Sequence, residues 1–154
     1  MYLNILLYVY SLCLSIFFGS SIFIGYIAAP YIFKTLKSRH EAGNMVGALL
    51  GKFSILGYIT QAVMIVTGYI LYAKNDASLS IFVLPLIILI ILLFSENFVS
   101  KKLNILKQQM GSIDETPQDD PKRKGFNSLH KWSVKLFLLN ELLCLLLFYL
   151  ILIK

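Results

Sequence analysis

The chain has 154 residues, of which 58% are hydrophobic and 14% are charged, and its mean hydropathy is +0.76. A soluble domain is usually about 45–50% apolar and about 25% charged, so this composition excludes an ordinary soluble protein. The formal net charge of +6 could suggest nucleic-acid binding, but the basic residues gather in two segments between apolar runs, as the positive-inside rule predicts for a membrane protein.

Four apolar runs predict four membrane-spanning helices, because crossing the hydrocarbon core takes about 20 apolar residues. The predicted spans cover residues 3–28, 53–73, 81–99 and 133–152. The first run has no basic start and no evident cleavage site, unlike a secretory signal, so we expect it to stay in the mature protein. The sequence therefore predicts an all-α membrane protein, a four-transmembrane antiparallel helix bundle, as a single integral membrane domain over residues 1–154.

Two prolines bear on the predicted spans. Pro30 follows the first apolar run, and we expect the first span to end there. Pro85 lies in the early turns of the third span, where the lost donor costs least.

The segments that join the spans, residues 34–52 and 100–132, are predicted to form helical extensions on the cytoplasmic side. Ser38 and Glu41 fit a capping box at a helix start. A helix running unbroken from there through the second span would measure about 52 Å against a ~30 Å membrane core, so it should tilt, break near Gly51 or project from the membrane.

The fourth helix has a start signal of its own. The acidic stretch from Gly111 to Asp120 is rich in helix breakers and is predicted to be a loop. Asp120 followed by Pro121 is typical of an N-cap and a first helical residue.

The distribution of basic residues predicts the orientation. All but two of the 14 Lys and Arg residues lie in or beside the two joining segments, and only Lys74 and Lys154 fall on the other side. Positively charged loops stay in the cytoplasm, so both termini are predicted to lie outside it. We expect a multi-pass protein, with a bacterial inner membrane as its location.

Small residues at four-residue spacing predict close helix packing. Gly43, Gly47 and Gly51 form one stripe at the start of the second helix, and Ser21, Gly25 and Ala29 form another in the first. Such stripes let helix backbones approach closely in lipid. A homo-oligomer packed through the three glycines is one structural interpretation of the first stripe.

Glu141, directly after Asn140, lies in the last apolar run and predicts an intramembrane polar core. Counting 1.5 Å per residue from the outer end of each span puts Glu141 about 16 Å deep, Gln61 about 20 Å and Ser15 about 18 Å. Intramembrane carboxylates recur in proton relays and transporters, which favours a proton- or ion-linked site. The alternative is a protonated, hydrogen-bonded Glu141 that only holds the bundle together.

Glu96 and Lys135 are predicted to form an ion pair between the third and fourth spans, since each lies about 25 Å from the outer side by the same counting. Lys135 could instead extend its side chain to the lipid headgroups.

Two histidines and two cysteines could also carry chemistry. His40 and His130 both belong to the cytoplasmic side and could ligate haem or copper, since neutral imidazole is a common ligand; the alternative is that both are simply polar. Cys13 and Cys144 lie in apolar runs and are read as buried thiols. No phosphate-binding loop, Ser/His/Asp arrangement or zinc spacing occurs, so no catalytic or metal-ligating residue is predicted.

Two motifs resemble a known family. The run from Phe17 to Gly43 resembles the first-span signature of the domain of unknown function 4149 family, which includes the animal transmembrane protein 205. The run from Phe126 to Ser133 resembles the motif that opens the family's last span. The matching residues are Gly19, Pro30, Phe33, Leu36, Phe126, His130 and Ser133.

The resemblance implies a four-helix membrane protein, distantly similar to copper-resistance D and membrane haem-biosynthesis oxidase proteins. The leading hypothesis is a non-enzymatic protein of the lipid bilayer that transports small solutes or metals, or confers resistance to them, without a cofactor. The alternatives are a membrane oxidoreductase that binds haem or copper and a structural oligomer.

Overall fold

Six α-helices and two π-helical turns make up the protein in a computed structural model that describes residues 2–153. The helices are α1 (Tyr2–Ile22), α2 (Ala29–Thr35), α3 (Arg39–Ala73), α4 (Leu79–Phe94), α5 (Lys101–Met110) and α6 (Pro121–Leu152). The first π turn, Phe23–Ala28, joins α1 to α2, and the second, Ser95–Ser100, joins α4 to α5 without a break in the helical path.

Four continuous helical stretches are therefore long and apolar enough to cross a membrane: Tyr2–Thr35, Arg39–Ala73, Leu79–Met110 and Pro121–Leu152. Each contains one predicted span, which confirms the all-α, four-helix prediction. Stretches of 32 to 35 residues measure about 48–52 Å, so each exceeds a ~30 Å hydrocarbon core and continues beyond it. The protein is an integral membrane protein with helical extensions.

The stretches pack in an up-down-up-down square. α3 contacts α1 and α4, and α6 contacts α4 and α1, so α3 and α6 lie diagonally opposite each other. The buried core between them joins Tyr10, Leu14 and Phe17 to Met64 and Ile88, with further residues from α6. Large apolar side chains also cover the outer faces of the stretches, as lipid contact requires.

The predicted helix starts are confirmed. Ser38 caps α3 by accepting a hydrogen bond at 3.2 Å from the backbone N–H of Glu41. Asp120 caps α6, since its Oδ1 accepts from the N–H groups of Lys122 at 2.7 Å and Arg123 at 3.3 Å. α3 runs for 35 residues without interruption, so it does not break near Gly51.

The first stretch does not end at Pro30, as the sequence predicted, but stays helical to Thr35. The chain widens into the first π turn just before the proline, and Pro30 falls in the first turn of α2, where a backbone donor is not needed. The π turn thus lets the helix continue past Pro30 although the proline donates no backbone hydrogen bond.

Pro85 lies inside α4 and leaves the carbonyl one turn earlier without its helical hydrogen-bond donor. Its missing N–H would have bonded the carbonyl of Ile81, and the buried Tyr10 hydroxyl donates to that oxygen instead, at 2.9 Å. Gly68 of α3 packs against the same group, because a Cβ there would lie 2.7 Å from the Ile81 oxygen. Three helices therefore meet at one carbonyl, here named the Ile81 junction (Tyr10, Gly68, Ile81 and Pro85).

Tyr10→Phe should lower the free energy of unfolding by about 1–3 kcal/mol, because it leaves the buried Ile81 carbonyl without a donor. The change should cost clearly less in a Pro85→Ala background, where residue 85 regains its N–H. Reversible unfolding of all four proteins in detergent micelles gives this double-mutant cycle. Equal costs of Tyr10→Phe in both backgrounds would show that the hydroxyl does not replace the proline's lost donor.

Gly68→Ala should destabilise the bundle by about 1–3 kcal/mol, since its methyl group would press on backbone rather than on a movable side chain. The matched control is Gly47→Ala in the same helix, because a Cβ at Gly47 meets nothing within 4 Å. That variant should be about 0.5–1 kcal/mol more stable, since alanine favours helix over glycine. Thermal unfolding of both variants checks the contrast, and a neutral Gly68→Ala would contradict the close approach.

Candidate intramembrane polar site

One end of the bundle carries most of its basic residues. This basic end is defined as the end that holds residues 34–52 and 100–135. Both π turns lie toward it, and each carries a residue of the polar site: Tyr26 in the first turn and Glu96 in the second. Single π turns inside α-helices often accompany functional sites.

Glu141 is buried between α6 and the first stretch, and hydroxyl groups are its hydrogen-bond partners. Its Oε2 accepts from the Tyr26 hydroxyl at 2.9 Å, and its Oε1 lies 3.5 Å from Ser21 Oγ. Ser21 also donates to the Phe18 carbonyl at 2.8 Å, and this shorter bond takes its single hydroxyl proton. A proton on Oε1 would therefore find Ser21 Oγ ready to accept it. We name Ser21, Tyr26 and Glu141 the Glu141 cluster.

Close packing of α6 against the first π turn brings Tyr26 to Glu141. A Cβ on Gly25 would lie 2.9 Å from Phe137 Cε1, so only glycine permits this approach without a shift of the ring. Phe137 and Glu141 are four residues apart and share a face of α6. In this stripe, Gly25 thus allows close helix packing and Ser21 lies beside the Glu141 carboxyl.

The predicted polar core forms only in part. Asn140 and Glu141 are buried, but Ser15 is exposed on the outer face of α1 and donates to the Ser11 carbonyl at 2.8 Å. Gln61 is fully buried, yet neither of its amide atoms has a hydrogen-bond partner. Ser15 therefore does not share a polar layer with Glu141, and Gln61 makes no hydrogen bond to it.

Depth counting failed because it assumed that the spans begin in one plane and ignored which face each residue occupies. The rings of Phe53 and Phe137 lie 6.1 Å apart on two parallel helices. This contact puts Gly57 level with Glu141 and places Gln61 one turn further toward the opposite end.

The expected ion pair between Glu96 and Lys135 is not formed in the described structure. Glu96 Oε2 lies 3.4 Å from the hydroxyl of Ser54, whereas Lys135 Nζ lies 4.9 Å from the ring centroid of Trp132. Lys135 is exposed on the outer face of α6, one turn from Trp132, so its ammonium group extends toward the basic end along the surface. The second interpretation of Lys135 therefore fits the geometry, and Glu96 faces inward without a basic partner.

A cavity of about 50 Å³ lies beside Glu96. Asn140, only 6% exposed, contributes to its wall, and its Oδ1 has no hydrogen-bond partner. The polar residues of the wall are Ser54, Ser95, Glu96, Ser100, Ser133 and Asn140, and apolar side chains such as Leu92 and Phe137 complete it. We name this the Glu96 cavity. Asn140 and Glu141 are adjacent in sequence, yet one faces the cavity and the other the Glu141 cluster.

The two histidines do not face a common space. His40 lines a polar cavity of about 330 Å³ at the basic end with Asn44 and Lys107, whereas His130 stacks on Phe126 with ring centroids 6.3 Å apart and does not line it. Haem or copper binding by these two histidines stays a prediction. Residues 2–153 contain no group of three or more His, Cys, Asp or Glu side chains that could hold a metal ion.

Asp114 from the loop before α6 completes the cap of α3. Its oxygens accept from the Ser38 hydroxyl at 2.7 Å and from the N–H groups of Arg39 at 3.1 Å and His40 at 3.2 Å. These bonds, the one from Ser38 above all, lower the pKa of the Asp114 carboxyl below its usual value. On the other side of the loop, the buried Arg123 guanidinium donates to the Ile113 carbonyl.

The comparison with protein families agrees with this architecture. The model described as "Domain of unknown function (DUF4149)" matches residues 12–112, which is well over half of the chain. The chain belongs to this family. No match was found among curated proteins or solved structures.

The family residues predicted from the sequence occupy different surroundings. Gly19, Pro30, Phe33 and Leu36 fall within the matched range; of these, Gly19, Pro30 and Phe33 are exposed. Phe126, His130 and Ser133 lie beyond it, and Ser133 lines the Glu96 cavity. Gly43 lies 3.7 Å from Lys107 Nζ, measured from a Cβ position, whereas Gly47 and Gly51 face open space.

Sequence reasoning missed most partners of the two carboxyl groups. Tyr26 lies in an apolar run rich in tyrosines, so nothing local separates it from its neighbours. Ser54 and Ser95 likewise read as helix-compatible small residues. The one sequence feature that these three residues share is that each lies within a few helical turns of a basic segment.

Proposed function

We propose that this DUF4149 protein transports small solutes or ions across the membrane, or confers resistance by exporting them, with Glu141 as the group that takes up and releases a proton. The observation that carries the proposal is the buried Glu141 carboxyl, bonded to the Tyr26 hydroxyl at 2.9 Å and close to Ser21. In this proposal the protein acts as a carrier and not as an enzyme.

The energetics favour proton exchange at this site. An ionised carboxylate within a span costs about 2.5–3.5 kcal/mol on insertion scales and needs a partner or water. The Glu141 cluster supplies hydroxyl groups, which can bond either protonation state because each both donates and accepts. A carboxyl held this way can change its charge without a fixed counterion holding it in one state.

Glu141 also connects two elements whose relative movement would serve transport. It joins α6 to the first π turn, whose widened backbone departs from the regular α-helical ladder. Protonation would weaken the Tyr26 bond without removing it, because a hydrogen bond to an ionised carboxylate is about twice as strong as one between neutral groups. The proton on Glu141 would thereby control the strength of a contact between helices.

Glu141→Gln should abolish the transport phenotype, because the amide keeps the shape of the side chain but cannot exchange a proton. The test is the growth-inhibitory concentration of cupric ion, zinc ion and ethidium for an inner-membrane host with and without the protein. We expect the native chain to raise at least one of the three, and the variant to return it to the level of the empty host.

Glu115→Gln is the matched control, since it removes the same charge from an exposed position in the loop after α5. It should keep the native phenotype at equal membrane abundance. A native chain that changes none of the three concentrations, or a Glu141→Gln variant that protects as well as the native chain, would refute the proposal.

We further propose that the protein resides in a bacterial inner membrane with its basic end in the cytoplasm and both termini outside. The support is the gathering of all but two of the 14 Lys and Arg residues at that end.

Single cysteines can report this orientation in a background of Cys13→Ser and Cys144→Ser. Lys74→Cys should react with a membrane-impermeant maleimide in intact cells, whereas Asp119→Cys should react only after lysis. Both positions are exposed, so accessibility within the fold is matched. The reverse labelling pattern would overturn the orientation.

A further inference from the structure

We propose that the Glu96 cavity is a binding site for a monovalent cation of the size of Na⁺. The inference goes beyond the transport proposal and does not depend on it, because it concerns equilibrium binding at a different carboxyl group. Its basis is the combination of an oxygen-rich wall, a single negative charge and a buried acceptor without a partner.

The polar atoms of the wall suit a hard cation. Four serines, Glu96 and Asn140 supply the polar part of the wall, and no cysteine or histidine lines it. Hard cations prefer such oxygen ligands, whereas transition metals favour imidazole and thiolate. Asn140 Oδ1 is buried without a hydrogen-bond donor, and a bound cation would satisfy it.

Charge balance selects a single positive charge. Glu96 is the one ionisable residue in the wall of the cavity. Two lysines that could have formed an ion pair with Glu96 make other contacts. Lys135 lies over the Trp132 ring, and Lys101 donates to Asn97 Oδ1 at 3.1 Å. A monovalent ion would neutralise Glu96, whereas a divalent ion would leave a net positive charge in a region of low dielectric.

The small size of the cavity favours a compact ion that has shed part of its hydration shell. A water molecule needs about 10–15 Å³ of such cavity volume, so about 50 Å³ holds an ion with only a few waters. The wall oxygens would then replace the lost part of the hydration shell. Ser95 and Ser100 stand at the two ends of the second π turn, so this turn helps to form the wall.

The test measures ²²Na⁺ binding to the purified full-length protein in detergent by scintillation proximity, in a buffer of N-methyl-D-glucamine chloride at constant ionic strength. We expect saturable binding to the native chain, displaced by unlabelled Na⁺ at lower concentration than by K⁺. Glu96→Gln should weaken binding at least about tenfold, since it removes the charged ligand.

Ser133→Ala gives a second, milder variant that keeps the carboxylate and guards against a misfolded Glu96→Gln. It should weaken binding about threefold to tenfold, the effect of losing one neutral oxygen partner. Glu115→Gln is the charge-matched control and should bind as the native chain does, because Glu115 is exposed in the loop after α5. Thermal unfolding in Na⁺ and in N-methyl-D-glucamine should show stabilisation by Na⁺ in the native chain and in this control.

Three results would overturn the proposal. The first is an absence of saturable ²²Na⁺ binding to the folded native chain. The second is unchanged affinity in folded Ser133→Ala and Glu96→Gln proteins, which would place any bound ion elsewhere. The third is equal displacement by Na⁺ and K⁺, which would refute the assignment to an ion of Na⁺ size.

Discussion

The hydrogen bond from Tyr10 to the Ile81 carbonyl is the contact on which the register of the bundle depends. Pro85 exposes that carbonyl, Tyr10 satisfies it from α1, and Gly68 lets the α3 backbone lie against it. A shift by one residue would rotate a helix by about 100°, so the three helices can meet there in one register only. The positions of Ser21, Ser54 and Glu96 further along the same helices follow from this register.

The two π turns contribute to different polar sites: the first to the Glu141 cluster and the second to the Glu96 cavity. Each replaces a regular helical turn in the half of the bundle nearer the basic end. Tyr26 of the first turn donates to Glu141 of α6, and the second turn packs against α6 from the other neighbouring stretch. α6 contributes one residue to each site, Asn140 to the Glu96 cavity and Glu141 to the Glu141 cluster. These consecutive residues reach different sites because neighbours on a helix lie about 100° apart. One short segment of α6 therefore serves two chemically distinct places.

The sequence was a good guide wherever the determining signal is local. Apolar runs identified four helices, and Ser38 and Asp120 identified two helix starts, because spans and caps are set within a few residues. Ser15, Gln61 and Lys135 were misplaced, because a partner across the bundle depends on the rotation and axial shift of two helices. Those quantities come from packing contacts such as Gly25 against Phe137, which no single run of residues encodes.

The loop between α5 and α6 has a mechanical consequence. Asp114 holds it to the start of α3, and the Arg123 guanidinium holds its Ile113 carbonyl near the start of α6. These two helices lie diagonally opposite each other, so the loop works as a clasp across the bundle. A movement that separates their beginnings has to open the clasp first. The strength of a few exposed hydrogen bonds at Asp114 would therefore govern how far the two long helices can move independently.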